Sequence, residues 1–111
     1  MKASKPAKIL EYLDSANRSP FTRWFDRLPT AAALKIRTVL ARLEAGNRSD
    51  VKAVGSGVLE RRIDYGPGYR IYFGEDENGA LIILLGGGDK RRQDDDIEAA
   101  KANWRDYKGR K

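Results

Sequence analysis

Cysteine and histidine are both absent from the 111 residues. Without cysteine there is no disulfide and no thiolate chemistry, which suits a reducing, cytoplasmic setting. Without histidine the usual general base and the commonest transition-metal ligand are gone, so any catalysis must use Lys, Arg, Tyr, Asp or Glu. No cofactor signature stands out. The longest apolar run, Ala80 to Leu85, is far too short to span a bilayer, and MKASKPAK has no apolar segment behind it, unlike a signal peptide. Acidic residues are outnumbered, 16 Asp+Glu against 22 Lys+Arg, for a net charge of +6. That balance favours a polyanionic partner, nucleic acid ahead of an acidic protein or an anionic membrane; a merely ionic surface fits the same numbers.

What is present is enough for one modest core: 41% of the chain is hydrophobic. We read residues 1–111 as a single domain, with 1–8 as a disordered basic tail and a short strand around Ala7 to Leu13. Ser19-Pro20 has the form of an N-cap followed by proline at the first helical position. Phe21, Trp24, Phe25 and Leu28 then recur at helical spacing and Pro29 ends the helix. Thr30 is the expected cap of a second helix, whose stripe is Ile36, Val39, Leu40 and Leu43, with Gly46 as its stop.

From Val58 the period changes to two. Gly66-Pro67-Gly68 must be a turn, since proline has no donor and glycine tolerates positive φ. With Tyr65 and Tyr69 flanking it, Asp64 faces Arg70 and Arg62 faces Tyr72, while Ile63, Ile71, Leu59 and Phe73 occupy the other side. The apolar side packs on helices and the polar side is expected to be open. ALIILL reads as a central strand broken by Gly86-Gly87-Gly88, whose lack of any Walker pattern makes it a bend rather than a phosphate cradle. Asp94 to Asp96 suit a helix N-terminus better than a metal site, because neighbouring residues on a helix point apart. Ile97, Ala100 and Trp104 continue that helix. The fold class is α+β: a small, curled, mostly antiparallel sheet with an N-terminal helical hairpin, a C-terminal helix and all helices on one face.

On the presumed open face, Arg62, Arg70 and Tyr72 meet Lys90, Arg91 and Arg92 from the end of the next strand. Guanidinium and ammonium groups bind phosphates, and tyrosine can stack on a base or donate a proton. Cleavage of a phosphodiester at a 2′-hydroxyl needs a base, a cation and an acid, roles open to Lys, Arg and Tyr without a metal. The same charges also fit plain cross-strand pairs of Arg62 and Arg70 with Asp64 on a solvated face.

GNRSDVKAVGSGV, RIDYGPGYRIYF and LLGGGDKRRQDDDIEAAKANW resemble the HigB-like, phage-related branch of the RelE/ParE toxin superfamily, the addiction-module killer proteins, over roughly Pro20 to Trp104. The resemblance implies a RelE/ParE-like α+β fold and an mRNA interferase that cuts messages on translating ribosomes. It implies a cognate helix-turn-helix (HigA-like) antitoxin as partner and no cofactor. It places Arg70 at the scissile phosphate, and Lys52 and Lys90 where relatives carry catalytic or basic residues. Tyr72 supports these, with Arg62, Arg91 and Arg92 on the RNA. The family's C-terminal catalytic tyrosine or histidine has no counterpart, and Asp95 or Asp96 occupies that region. Arg61 replaces a frequent leucine. The alternatives are a ParE-like inhibitor of DNA gyrase and a non-enzymatic RNA-binding or degenerate toxin module. With Arg70 on an open face, Arg70→Ala is expected to abolish toxicity and leave folding nearly unchanged.

Overall fold

In the computed structural model, which describes residues 5–111, the order of elements is β1 (Lys8–Glu11), α1 (Pro20–Phe25), α2 (Thr30–Glu44), β2 (Val51–Gly55), β3 (Val58–Ile63), β4 (Tyr69–Asp76), β5 (Leu81–Gly88), a 3-10 turn (Lys90–Arg92) and α3 (Gln93–Gly109). The five strands form one sheet in the order β1-β5-β4-β3-β2, antiparallel except for β1 against β5. This is an α+β architecture with a mostly antiparallel open sheet and a C-terminal helix. Of the tail expected over residues 1–8, the first four lie outside the described residues. The Ala7 N–H already donates to Glu44 O (2.9 Å), and Lys8 begins β1. No helix among the described residues is long and apolar enough to cross a membrane.

Local chemistry sets most of these boundaries. Ser19 Oγ accepts from the Thr22 N–H (3.0 Å), capping α1 with Pro20 in its first turn. Leu28 falls beyond the helix but packs with Trp24 and Phe25 against the same core. α2 begins differently from expectation: Pro29 holds the cap position, and Thr30 is the first helical residue with no capping bond. At its other end Gly46 adopts φ 97°, and the Asn47 and Gly46 N–H groups donate to Arg42 O and Leu43 O, a Schellman closure. Lys52 lies in β2. Two valines between glycine- and serine-rich turns are a faint strand signal, but Ser56 and Gly57 at φ 58° and 84° make the two-residue turn that pairs β2 with β3.

The β3–β4 hairpin pairs Leu59 with Phe73, Arg61 with Ile71, Arg62 with Arg70 and Ile63 with Tyr69. The turn is wider than Gly66-Pro67-Gly68 alone, so the register differs by two residues from the Asp64–Arg70 and Arg62–Tyr72 pairing expected. A shift of two leaves every side chain on its expected face. Leu59, Ile63, Ile71, Phe73, Ile82 and Leu84 meet α1 and α2 in one core.

The other face is not open. Val58, Tyr72, Ile83 and Leu85 pack under Ala100 and Trp104 of α3, so the sheet is covered on both sides rather than on one. β5 also runs straight through the three glycines instead of ending at them. Gly86, Gly87 and Gly88 pair with Tyr72, Ile71 and Arg70, and a bulge at Leu85 separates them from the Leu84–Phe73 pair. A Cβ on Gly87 would lie 2.2 Å from Trp24 Cε3, one on Gly88 1.9 Å from Asp96 Oδ2, and one on Gly74 2.6 Å from Trp104 Cζ3. The glycines give room to aromatic and acidic side chains pressing from opposite faces.

Two tyrosine–aspartate bonds tie α3 down. Tyr12 Oη donates to Asp106 Oδ2 (2.6 Å) and Tyr107 Oη to Asp76 Oδ2 (2.9 Å). Burial, then the partner carboxylate, pushes each phenol up to about 12. Asp106 is held low, chiefly by Tyr12, and Asp76 low by Lys111 and then Tyr107. The sign follows from linkage. Depressed carboxylates contribute stability above their unfolded pKa near 4 that is lost as pH falls below it; raised phenols contribute below about 10 and lose it as pH climbs toward 12. Stability is therefore expected to fall at both limits, and a Tyr12→Phe/Tyr107→Phe protein to show a shallower alkaline decline in its urea midpoint. An unchanged alkaline slope in that variant would remove the two phenols from the account.

Candidate functional site

Alternation along β3 and β4 brings Glu60, Arg62, Arg70 and Tyr72 to the α3 side of the sheet. Lys52 stands opposite Glu60, Glu60 opposite Tyr72, and Tyr72 opposite Gly86; in the adjacent row Arg62 stands opposite Arg70, and Arg70 opposite Gly88. Arg62 and Arg70 are like charges in direct opposition, which calls for an anion nearby. That anion is Glu60, which the sequence reading did not single out.

Glu60 is the hub. Its Oε2 accepts from Gln93 Nε2 (2.9 Å) and lies 3.7 Å from Arg70 Nε, and its Oε1 lies 3.7 Å from Lys52 Nζ. Glu60 is 1% exposed and Arg70 6%, whereas the Lys52 side chain is 67% exposed. One cation seals the carboxylate from inside and the other stands over it in solvent. Arg70 Nη1 donates to Gly68 O (2.7 Å), anchoring the hairpin turn, while Arg70 Nε has no hydrogen-bond partner. The Tyr72 hydroxyl is buried without a partner either. Burial first, and then the Glu60 charge, raise its pKa far above that of a free phenol.

These placements correct the expected open face. Tyr72 is 0% exposed and cannot stack on a base, and Arg70 is an internal guanidinium rather than a surface one. Asp64 pairs with neither Arg62 nor Arg70; Arg70 takes Glu60 instead. Arg61 points to the opposite face, buried, bonded to the Arg62 carbonyl and 3.8 Å from Asp50. Its pKa is lowered by burial. Lys52 and Arg62 do reach solvent, and with Glu60, Asp50 and Val51 they line a cavity of about 210 Å³.

Lys90, Arg91 and Arg92 form the 3-10 turn and are exposed. The Lys90 Cβ lies 3.8 Å from where a Cβ on Gly68 would be, near the tip of the hairpin. Arg91 is bound to Asp89 (2.9 Å) and Arg92 stands 3.9 Å from Asp95. Arg91 and Arg92 line a second cleft, not the Lys52–Glu60 cavity. The three aspartates diverge: Asp94 and Asp95 are exposed in the first turn of α3, and Asp96 leans over Gly88, its pKa raised by burial. Among the described residues, no group of three or more His, Cys, Asp or Glu side chains converges as a metal site would require. The array can do three things chemically: accept a proton on Glu60, hold an anion between Lys52 and Arg62, and keep Glu60 oriented through Gln93 and Arg70.

No protein-family model matches the chain. It is similar to an uncharacterized protein of Haemophilus influenzae, 48% identical over 62 residues, a match covering 55% of this chain and 62% of that protein. The chain thus spans less than two thirds of the length of the relative it matches.

Because Arg70 is buried against Glu60, Arg70→Ala is expected to cost about 3–5 kcal/mol of stability, reversing the expectation of a silent surface change. Replacing both members, Glu60→Leu with Arg70→Met, should recover most of the loss. Urea denaturation of the three variants measures this, and an Arg70→Ala protein with a wild-type midpoint would show that the pair contributes nothing.

Proposed function

We propose that this chain is the toxin of a type II toxin–antitoxin system, a HigB-like member of the RelE/ParE superfamily that cleaves messenger RNA on the ribosome without a metal. The observation that carries the reading is the Lys52–Glu60–Arg70 array, a buried carboxylate between two cations beside a solvent-accessible cavity. The motif resemblance and the α+β order of elements support it. A helix-turn-helix antitoxin is the partner this reading assigns.

In this mechanism the 2′-hydroxyl enters through the cavity and gives its proton to Glu60 as its oxygen bonds to phosphorus. The P–O5′ bond breaks, the departing 5′-oxygen takes a proton from water, and a 2′,3′-cyclic phosphate is left. Lys52 and Arg62 hold the nonbridging phosphate oxygens, where charge builds as the pentavalent centre forms. Arg70 is a positioning residue: behind Glu60, it fixes the carboxylate and does not itself touch the phosphate. That departs from the role the resemblance implies for it. Tyr72, fully enclosed, shapes the wall behind Glu60. Lys90, at the hairpin tip, and Arg91 and Arg92 lie outside the reacting group and act on the RNA strand only through long-range charge.

Lys52→Ala is the clean test, because the side chain is mostly exposed and its loss should barely alter folding. Inducing the wild type should stop growth and create new 5′ ends inside coding regions, seen by primer extension. Lys52→Ala should slow cleavage by about 100-fold or more with an unchanged melting curve. Intact messages with accumulating DNA breaks would instead favour the gyrase-inhibitor reading, and intact messages without breaks the non-enzymatic one.

A further inference from the structure

β1 flanks β5 only from Leu81 to Leu84, and the last backbone bond on that side is the Tyr12 N–H to Leu84 O (2.9 Å). The Leu85 carbonyl is taken by Asn103 Nδ2 (2.9 Å). Beyond it, among the described residues, Gly86–Gly88 have β4 as their sole strand neighbour. The outer edge of an interior strand is therefore bare for its last residues. Such an edge presents backbone donors and acceptors at strand spacing, a template for another extended chain. Within the edge itself there is no proline and no side chain to block pairing; Gly86 and Gly87 are part-exposed and Gly88 is buried.

The same edge opens into a cleft of about 550 Å³ with Gly87 and Gly88 among its lining residues. Trp24, Arg23 and Arg27 of the α1 side form one wall, and Arg91 and Arg92 with Asp96 form the other. Arg23 and Arg27 have no ion-pair partner among the described residues, Arg92 has only the 3.9 Å approach to a well-exposed Asp95, and Arg91 is held by Asp89 (2.9 Å), which lines the same cleft. Four arginines against the two carboxylates of Asp89 and Asp96 leave the cleft net positive beside a strand edge with no strand partner. An added strand sends alternate side chains toward the two walls, so carboxylates at successive positions would meet arginines on each side. A nucleic acid backbone would satisfy the arginines but not the strand edge.

We propose that the Gly86–Gly88 edge of β5 takes an extended acidic segment of a protein partner as an added strand in line with β1, held by Arg23, Arg27 and Arg92. The site uses neither Lys52 nor Glu60, so it does not rest on the chain being a nuclease.

The test titrates the full chain with a fluorescein-labelled, acetylated peptide of mixed glutamate and valine, following anisotropy and the amide resonances of Gly86–Gly88. Two further peptides carry N-methyl groups on one or the other alternate set of amides. Binding should shift the glycine resonances, weaken by about tenfold or more in Arg23→Glu/Arg27→Glu, and fall steeply with salt. Methylation of one alternate set should abolish binding and the other set be tolerated, because only one side of the added strand faces β5. Equal binding of all three peptides would reduce the contact to charge alone and overturn the proposal. So would no binding, or an oligouridylate that depends on Arg23 and Arg27 where the peptide does not.

Discussion

Bare backbone at Gly87 and Gly88 is the constraint on which the two covered faces depend. A Cβ at either would collide with Trp24 on one side or Asp96 on the other, and a core cannot absorb overlaps of that size without moving a helix. The bulge at Leu85 resets the alternation of β5, so that Gly87 faces Trp24 and Gly88 faces Asp96. With Asp96 seated over Gly88, the first turn of α3 descends far enough for Gln93 to reach Glu60 at 2.9 Å. Trp104 over Gly74 does the same for the middle of the helix. The site chemistry is downstream of this packing.

Enclosing Glu60 and Arg70 is energetically unfavourable in itself. Two ions leave water and recover the loss only through mutual attraction and good hydrogen bonds, and here the pair is 3.7 Å apart with Arg70 Nε unbonded. Apolar residues of similar volume would serve the fold at least as well. An imperfectly satisfied buried pair beside an accessible cavity is the kind of arrangement found where polar groups are kept for work rather than for stability. Structural ion pairs also occur in such positions, so the weight of the reading falls on Lys52, whose ammonium stands over Glu60 in solvent with no packing role.

Much of the fold was legible in the sequence, and the misses have particular causes. The helices declared themselves through Ser19-Pro20, the apolar stripes and Gly46, and the hairpin through its period of two. Face assignment in β3 and β4 survived a wrong register because the error was two residues. What failed was the idea that a polar strand face is an open one. Val58, Tyr72 and Leu85 on that face pack under α3, but Trp104 looked like part of the same core as the N-terminal helices. The glycine triplet was read as a bend because glycine weakens strands; its use as space for Trp24 and Asp96 depends on contacts distant in sequence. Glu60 was passed over for the same reason. Between Leu59 and Arg61 it looks like a surface residue, and only the pairing with Lys52, Tyr72 and the reach of Gln93 enclose it.

The charge excess is also distributed in a way that composition does not reveal. Arg61 and Arg70 are internal, and Arg48 and Arg110 spend donors on Leu43 O and Leu13 O. Charges so engaged add little to the field met by an approaching polyanion. Among the exposed cations, Lys52 and Arg62 line the cavity on the β2–β3 side, and Arg23, Arg27, Arg91 and Arg92 line the cleft beside the outer edge of β5. β4 and the buried Arg70 lie between them. A single anionic ligand on one side leaves the other side uncovered. The two sides meet in the fold through the Arg70–Gly88 pair and through the first turn of α3, whose Gln93 reaches Glu60 while Asp96 lies over Gly88.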